Sequence, residues 1–349
     1  MKTSEDILKL LSAKPKTALG FFPTPFYRLD NMSDELGIDL YIKRDDFTGM
    51  SLFGGNKIRK LEYLLGDAKE QGAEYIFTYG ATQSNHAMQT VEACCRCGLK
   101  PVLYLTAVVE PDENDIRGNL LLDKIFGAEI HIISINEGET EAEADARSRK
   151  MAEEQIKRME AEGKKCYNVP MGGSSHVGAA GFLGGFAEMS QQADRRGLDV
   201  EYIFHSCGSG GTLAGLCAGK KAMGSKAKII SVSAMGHESD FASHCAKIGN
   251  DALKWIGLDP ILSSEDMNID ENYYCPGYEQ PSKGGTEAIK MLAKSEGLLV
   301  DPVYSGKALA GLIDHVRTGK VPQGSTAVFW HTGGATALFA EHEILGDII

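Results

Sequence analysis

Two apolar runs, each ended by a loop of small polar residues that opens a helix, constrain this chain more than anything else in it. The first is Tyr75-Ile76-Phe77-Thr78-Tyr79, followed by Gly80-Ala81-Thr82-Gln83-Ser84-Asn85-His86. The second is Tyr202-Ile203-Phe204, followed by Cys207-Gly208-Ser209-Gly210-Gly211-Thr212-Leu213-Ala214-Gly215. A run without polar alternation suits a strand covered on both faces, as in parallel sheets between helices. Further apolar runs at 102–106, 130–134, 229–232 and 328–330 alternate with helical patterns at 118–126, 140–159 and 179–191. The expected class is therefore α/β, with parallel twisted sheets flanked by helices. A chain of 349 residues can bury a large core and is expected to hold two domains.

The loops carry chemical information of their own. Ser84 or Asn85 is the expected cap of the helix through Val91 and Ala93. A strand-end loop feeding a helix start aims free backbone N–H groups at an anion, such as a substrate carboxylate. In the second loop, Gly208, Gly210 and Gly211 let the backbone wrap a phosphate, and Ser209 and Thr212 add hydroxyl donors. The glycines follow neither the Walker order nor G-x-G-x-x-G. A cup of this kind fits a small phosphorylated cofactor rather than a nucleotide.

A third stretch names the chemistry. Phe53-Gly54-Gly55-Asn56-Lys57-Ile58-Arg59-Lys60-Leu61-Glu62-Tyr63 follows Lys43-Arg44-Asp45-Asp46, which reads as a polar turn. The glycine pair holds Lys57 at the mouth of a helix. A lysine there is suited to bond covalently to the aldehyde of pyridoxal 5'-phosphate, once burial beside other cations has lowered its pKa. Arg59 and Lys60 are the expected cations.

Lysine, anion-binding cap and glycine cup, in that order, resemble the fold-type II pyridoxal-phosphate enzymes, which are tryptophan synthase β-like. The nearest branch is that of 1-aminocyclopropane-1-carboxylate (ACC) deaminase and D-cysteine desulfhydrase. The resemblance covers essentially the whole chain, from Pro23-Thr24-Pro25 to Asp301-Pro302-Val303-Tyr304-Ser305-Gly306-Lys307 and His331-Thr332-Gly333-Gly334. It implies a small inserted domain over 60–168, a large cofactor-binding domain from 1–59 and 169–349, and the cofactor in the cleft between them. It implies that Lys57 holds the cofactor and then acts as base, that Asn85 meets its phenolic oxygen, and that Lys60 helps neutralise a phosphate held by Ser209, Gly210, Gly211 and Thr212. Ser84, Asn85 and His86 would face the substrate carboxylate. Tyr278 and Tyr304 match two active-site tyrosines able to relay a proton.

Ser305 and Thr332 separate the two activities of the branch. In ACC deaminases a glutamate follows the tyrosine and His-x-Gly-Gly carries leucine. Here a hydroxyl stands at each position, so the pyridine nitrogen would not be held protonated and the ring would be a weaker electron sink. That suffices to expel a good leaving group from Cβ. The expected function is β-elimination, D-cysteine giving pyruvate, ammonia and hydrogen sulfide. ACC deamination, L-cysteate sulfo-lyase activity, cysteine synthase-like β-replacement and a non-catalytic binding role are the alternatives. Two departures fall where substrate is chosen. Met88 stands where relatives often carry arginine and reads as helix packing, and Glu279 stands where glycine is common and reads as a solvated loop charge.

Composition narrows the partners. A net charge of −12 argues against nucleic acid and anionic membrane surfaces. The N-terminal residues lack an apolar signal core and no run is long enough to span a membrane, so cytoplasm is expected. Cys94, Cys95 and Cys97 lack the second Cys or His pair of a zinc site and read as reduced thiols; no metal is expected. The expected partners are a small amino-acid substrate and, by the resemblance, a second copy in a homodimer.

Overall fold

The computed structural model describes residues 1–49, 54–280, 282–340 and 345; Phe53, which opens the lysine stretch, lies outside them. In chain order its strands are β1 (Phe26–Arg28), β2 (Asp39–Arg44), β3 (Tyr75–Ala81), β4 (Lys100–Ala107), β5 (Glu129–Ser134), β6 (Cys166–Asn168), β7 (Tyr202–Cys207), β8 (Lys228–Ser233), β9 (Ile269–Asp270) and β10 (Thr326–His331). They form two sheets. One has six strands in the order β1-β2-β10-β7-β8-β9, the other four in the order β5-β4-β3-β6. Only the edge pair β1–β2 is antiparallel among these strand pairs. The expected mixed α/β architecture with parallel sheets is what the chain adopts. The six apolar runs expected to be strands fall inside β3, β4, β5, β7, β8 and β10.

The helix Asn56–Glu70 carries the lysine stretch and packs against the long helix His176–Asp194 and the helix Asn85–Cys97. What fixes it is a buried ion network. Arg59 Nε donates to Asp45 Oδ2 at 2.7 Å, and its terminal nitrogens reach Asp45 Oδ1 at 2.8 Å and both Glu188 oxygens at 2.9 and 3.0 Å. Lys43 Nζ donates to Glu188 Oε1 at 2.5 Å and Gln192 Oε1 at 2.6 Å, and Trp330 Nε1 donates to Asp45 Oδ2 at 2.7 Å. Lys43 and Asp45 are fully buried, which only such pairing makes tolerable.

This network corrects the reading of Lys43-Arg44-Asp45-Asp46 as a polar turn. Lys43 and Arg44 are the last two residues of β2, and Asp45 begins a single 3-10 turn, Asp45–Phe47. Four successive charges mimic an exposed turn, but Lys43 is paired with Glu188 of the helix His176–Asp194, Asp45 with Arg59 and with Trp330 of β10, and Arg44 with Asp46 and Tyr27. No helix among the described residues is long and apolar enough to cross a membrane.

Candidate active site

The carboxyl ends of strands from both sheets, together with the helices they feed, enclose a cavity of about 220 Å³. Ligands of parallel α/β sheets commonly bind at that edge. Of the residues singled out in the sequence, Lys57, Lys60, Ser84, Asn85, His86, Ser209, Gly210, Thr212, Tyr278, Tyr304 and Thr332 line it. Gly211 and Ser305 do not.

Lys57 sits in the first turn of its helix, with Gly55 as the residue before the helix. Thr48 pins that entry: its hydroxyl donates to the Gly55 carbonyl at 2.7 Å and accepts from the Gly55 N–H at 2.9 Å. Lys57 keeps part of its surface open to the cavity. Burial nevertheless lowers its ammonium pKa from 10.5 to about 8. The cause differs from the expected one. Arg59 is committed to Asp45 and Glu188 on the other side of the helix, and loss of hydration lowers the Lys57 value. Lys60 is fully buried, donates to the Gly172 carbonyl at 3.0 Å, and lies well below its ordinary pKa through burial and then through Lys57.

The glycine cup is built at the start of the helix Gly211–Met223. Gly210 adopts φ +80°, and a Cβ there would stand 2.4 Å from Cys245 Sγ, so only glycine fits. Ser209 Oγ is 2.8 Å from Ser174 Oγ, and Thr212 Oγ1 accepts from Asn56 Nδ2 at 3.1 Å. The Gly211 N–H is satisfied by Ser174 Oγ at 3.1 Å, which takes Gly211 out of the cavity wall. Neither Asn56 nor Ser174 was singled out in the sequence. Gly172-Gly173-Ser174-Ser175 has the same small polar character as the cup and could have flagged Ser174.

Opposite the cup, Ser84 caps the helix Asn85–Cys97 and accepts from the Ala87 N–H at 3.2 Å. Gly80 makes room for it, since a Cβ there would lie 2.5 Å from Ser84 Oγ. Asn85 Oδ1 is held by Asn119 Nδ2 at 3.0 Å and Thr336 Oγ1 at 3.3 Å, which leaves its amide hydrogens as donors. Thr78 Oγ1 donates to the Val169 carbonyl at 3.0 Å and so accepts from His86 Nε2 at 2.9 Å. Burial, with Lys57 and Lys60 nearby, puts the His86 imidazole well below its usual range and keeps it neutral.

Tyr278 and Tyr304 meet hydroxyl to hydroxyl at 2.5 Å, their rings edge to face at 5.8 Å. Thr332 Oγ1 is 2.8 Å from Ser206 Oγ, a second hydroxyl at the cavity wall that the sequence did not single out. Ser305 corrects the expectation placed on it. Its side chain is fully buried, donates to Asp301 Oδ1 and to the Gly333 carbonyl at 3.2 Å, and begins the helix Ser305–Arg317. Asp301 in turn accepts from the N–H groups of Val303, Tyr304 and Ser305. Ser305 is therefore tied into the turn that presents Tyr304 and does not line the cavity. Met88 is buried and away from the cavity, as packing requires. Glu279 is not a solvated loop charge: it is half-buried at φ 52°, and burial with the Glu141 carboxylate beside it pushes its pKa up to about 7.

Three comparisons bear on this geometry. The family model described as "Pyridoxal-phosphate dependent enzyme" matches residues 17–333. A D-cysteine desulfhydrase of Serratia proteamaculans is 36% identical over 334 residues, 95% of this chain and 97% of that protein. A putative 1-aminocyclopropane-1-carboxylate deaminase of Pyrococcus abyssi is 36% identical over 340 residues, 97% of this chain and 98% of that one. Among solved structures, an ACC deaminase homologue superposes with a TM-score of 0.86 at 34% identity, covering 98% of this chain and 99% of that one. The residues here fit such a cofactor on their own terms. A cup that admits no Cβ at Gly210, a lysine with no carboxylate partner among the described residues and a second, buried lysine converge on one cavity, as a phosphorylated aldehyde needs.

Proposed function

The chain belongs to the pyridoxal-phosphate dependent enzymes, and from that premise we propose that it catalyses β-elimination from a small β-substituted amino acid, D-cysteine foremost. Bound pyridoxal phosphate supplies an aldehyde for the substrate amine and an electron sink for the Cα–H bond. The protein's side chains do the rest. Lys57 bonds the resting cofactor; once displaced, its amine, with a pKa near 8, takes the Cα proton at neutral pH. Ser209, Gly210 and Thr212 hold the phosphate at a helix start, with Lys60 as counter-ion. Ser84 and the N–H groups of the helix Asn85–Cys97 orient the substrate carboxylate. The Tyr278–Tyr304 pair passes a proton to the departing group. The role proposed for His86 is to seat that helix through Thr78, because a neutral imidazole adds no charge to carboxylate binding.

The observation that carries elimination over ring opening is Thr332. Its hydroxyl, paired with Ser206, stands at the large-sheet wall of the cavity and has no hydrogen bond to a carboxylate among the described residues. ACC ring opening is the second reading, favoured by the ACC deaminase homologue among the solved structures. Pyruvate and sulfide from D-cysteine, with little 2-oxobutyrate from ACC, are expected of the purified enzyme. Faster turnover of ACC than of D-cysteine would overturn the choice. We also propose that residues 60–168 act as a small domain against the remainder, and that the chain works as a homodimer. Sedimentation at the mass of one chain would refute the second point.

A further inference from the structure

One wall of the cavity carries a charge that the reaction just proposed does not use. Glu141 and Asp145, one turn apart at the start of the helix Glu141–Ala161, both line it. Thr106, at the end of β4, donates to Asp145 Oδ1 at 2.5 Å and turns that carboxylate toward the strand ends. Among the described residues neither carboxylate is in an ion pair. Burial and then Asp145 raise the pKa of Glu141, and burial and then Glu141 raise that of Glu279, so the three carboxyl groups lie close enough to repel one another when ionised. Among the described residues the lysines on the cavity wall are Lys57 and Lys60, and the reading above assigns both to the cofactor. On that assignment Glu141 and Asp145 are the wall charges left for a substrate side chain to meet.

Resting on the reading above, we propose that Glu141 and Asp145 are specificity-determining residues, excluding amino acids whose side chain is anionic and accepting neutral or cationic ones. Sulfonate-, sulfate- and phosphate-bearing amino acids are thereby ruled out as substrates. A carboxylate meeting like charge in a partly dehydrated cleft loses affinity, whereas its amide isostere does not. The class accepted carries a neutral thiol, halide or acyl-type leaving group, or an ammonium.

The test is equilibrium binding to the holoenzyme by calorimetry, using both enantiomers of aspartate, asparagine and 2,4-diaminobutyrate, which keeps binding separate from turnover. Asparagine is expected to bind at least about tenfold more tightly than aspartate, and 2,4-diaminobutyrate at least as tightly as asparagine. In Glu141→Gln/Asp145→Asn the gap between asparagine and aspartate should shrink to about twofold or less. Glu141→Gln alone, at an exposed helix start, tests the same point with the fold undisturbed and should close part of the gap. Equal binding of aspartate and asparagine by the wild type would overturn the proposal, and so would variants that keep the full discrimination. A parallel pyruvate assay with β-chloroalanine and cysteate separates the two readings. Absence of pyruvate from β-chloroalanine with the binding order intact would remove the elimination reading alone. Pyruvate from cysteate at the rate from β-chloroalanine would remove the exclusion of anions.

Discussion

The helix Asn56–Glu70 has two faces one residue apart, and they treat positive charge in opposite ways. On the inner face Arg59 meets two carboxylates, Asp45 and Glu188, with Lys43 completing the cluster. Its guanidinium is held firmly charged by them. On the cavity face Lys57 and Lys60 have no carboxylate partner among the described residues, and both lie below the ordinary lysine range. Burial alone therefore does not decide what a cation becomes. A paired cation is a structural rivet, and an unpaired one is a reactive amine whose stability cost the rest of the fold offsets.

Four changes should break or sharpen that contrast. The largest effect is expected on the cavity face: Lys57→Ala should lower turnover by about 10⁴-fold or more, because it removes both the covalent anchor and the base. Its far-ultraviolet dichroism and unfolding cooperativity should match the wild type. Next, on the inner face, Arg59→Met should cost about 3–5 kcal/mol of stability by leaving Asp45 buried without its cation and Glu188 with Lys43 alone. A urea unfolding curve would reveal it, and an unchanged midpoint would show that the network is dispensable.

The third change is smaller and has the opposite sign. In the cofactor-free protein, Lys57→Met should stabilise the fold at pH 7 by about 3 kcal/mol. The unfolded chain binds the lysine proton at 10.5 and the folded one only near 8, so burying Lys57 costs most below pH 8. The gain should fade as pH rises from 8 to 10.5 and vanish above that. A gain independent of pH would mean that the methionine simply packs better. The smallest effect is that of Ser84→Ala, which removes a helix cap worth about 1 kcal/mol; thermal unfolding would register it.

How much of this was legible in the sequence depended on whether each signal was local. Apart from β5, which is an edge strand, the strands read as apolar runs lie inside their sheets, and β3, β4, β7 and β10 position the cavity directly. Those not read, β1, β2, β6 and β9, are two to six residues long, and the longest of them, β2, ends on charges. Glycine and cap chemistry made Ser84, Ser209 and Thr212 visible, because each acts within its own loop. Adjacency to Tyr304 says nothing about which way the first residue of a helix turns, and Asp301 turns Ser305 inward, off the cavity wall. Asn56, Ser174 and Ser206 gain their place only through partners 156, 35 and 126 residues away. Glu279 and Glu141 come together from separate elements far apart in the chain, a meeting no pattern in either segment announces.

The central claim is that Lys57, rather than Lys60 or Lys43, is the lysine that bonds the cofactor. Reduction of the holoenzyme with borohydride, followed by proteolysis and mass spectrometry, tests it most directly. The expected result is a single modified peptide carrying the pyridoxyl mass on Lys57, with Lys60 unmodified in the same fragment. A label on Lys60, or on Lys43 in its ion network, would contradict the contrast between the two faces of the helix and the mechanism built on it.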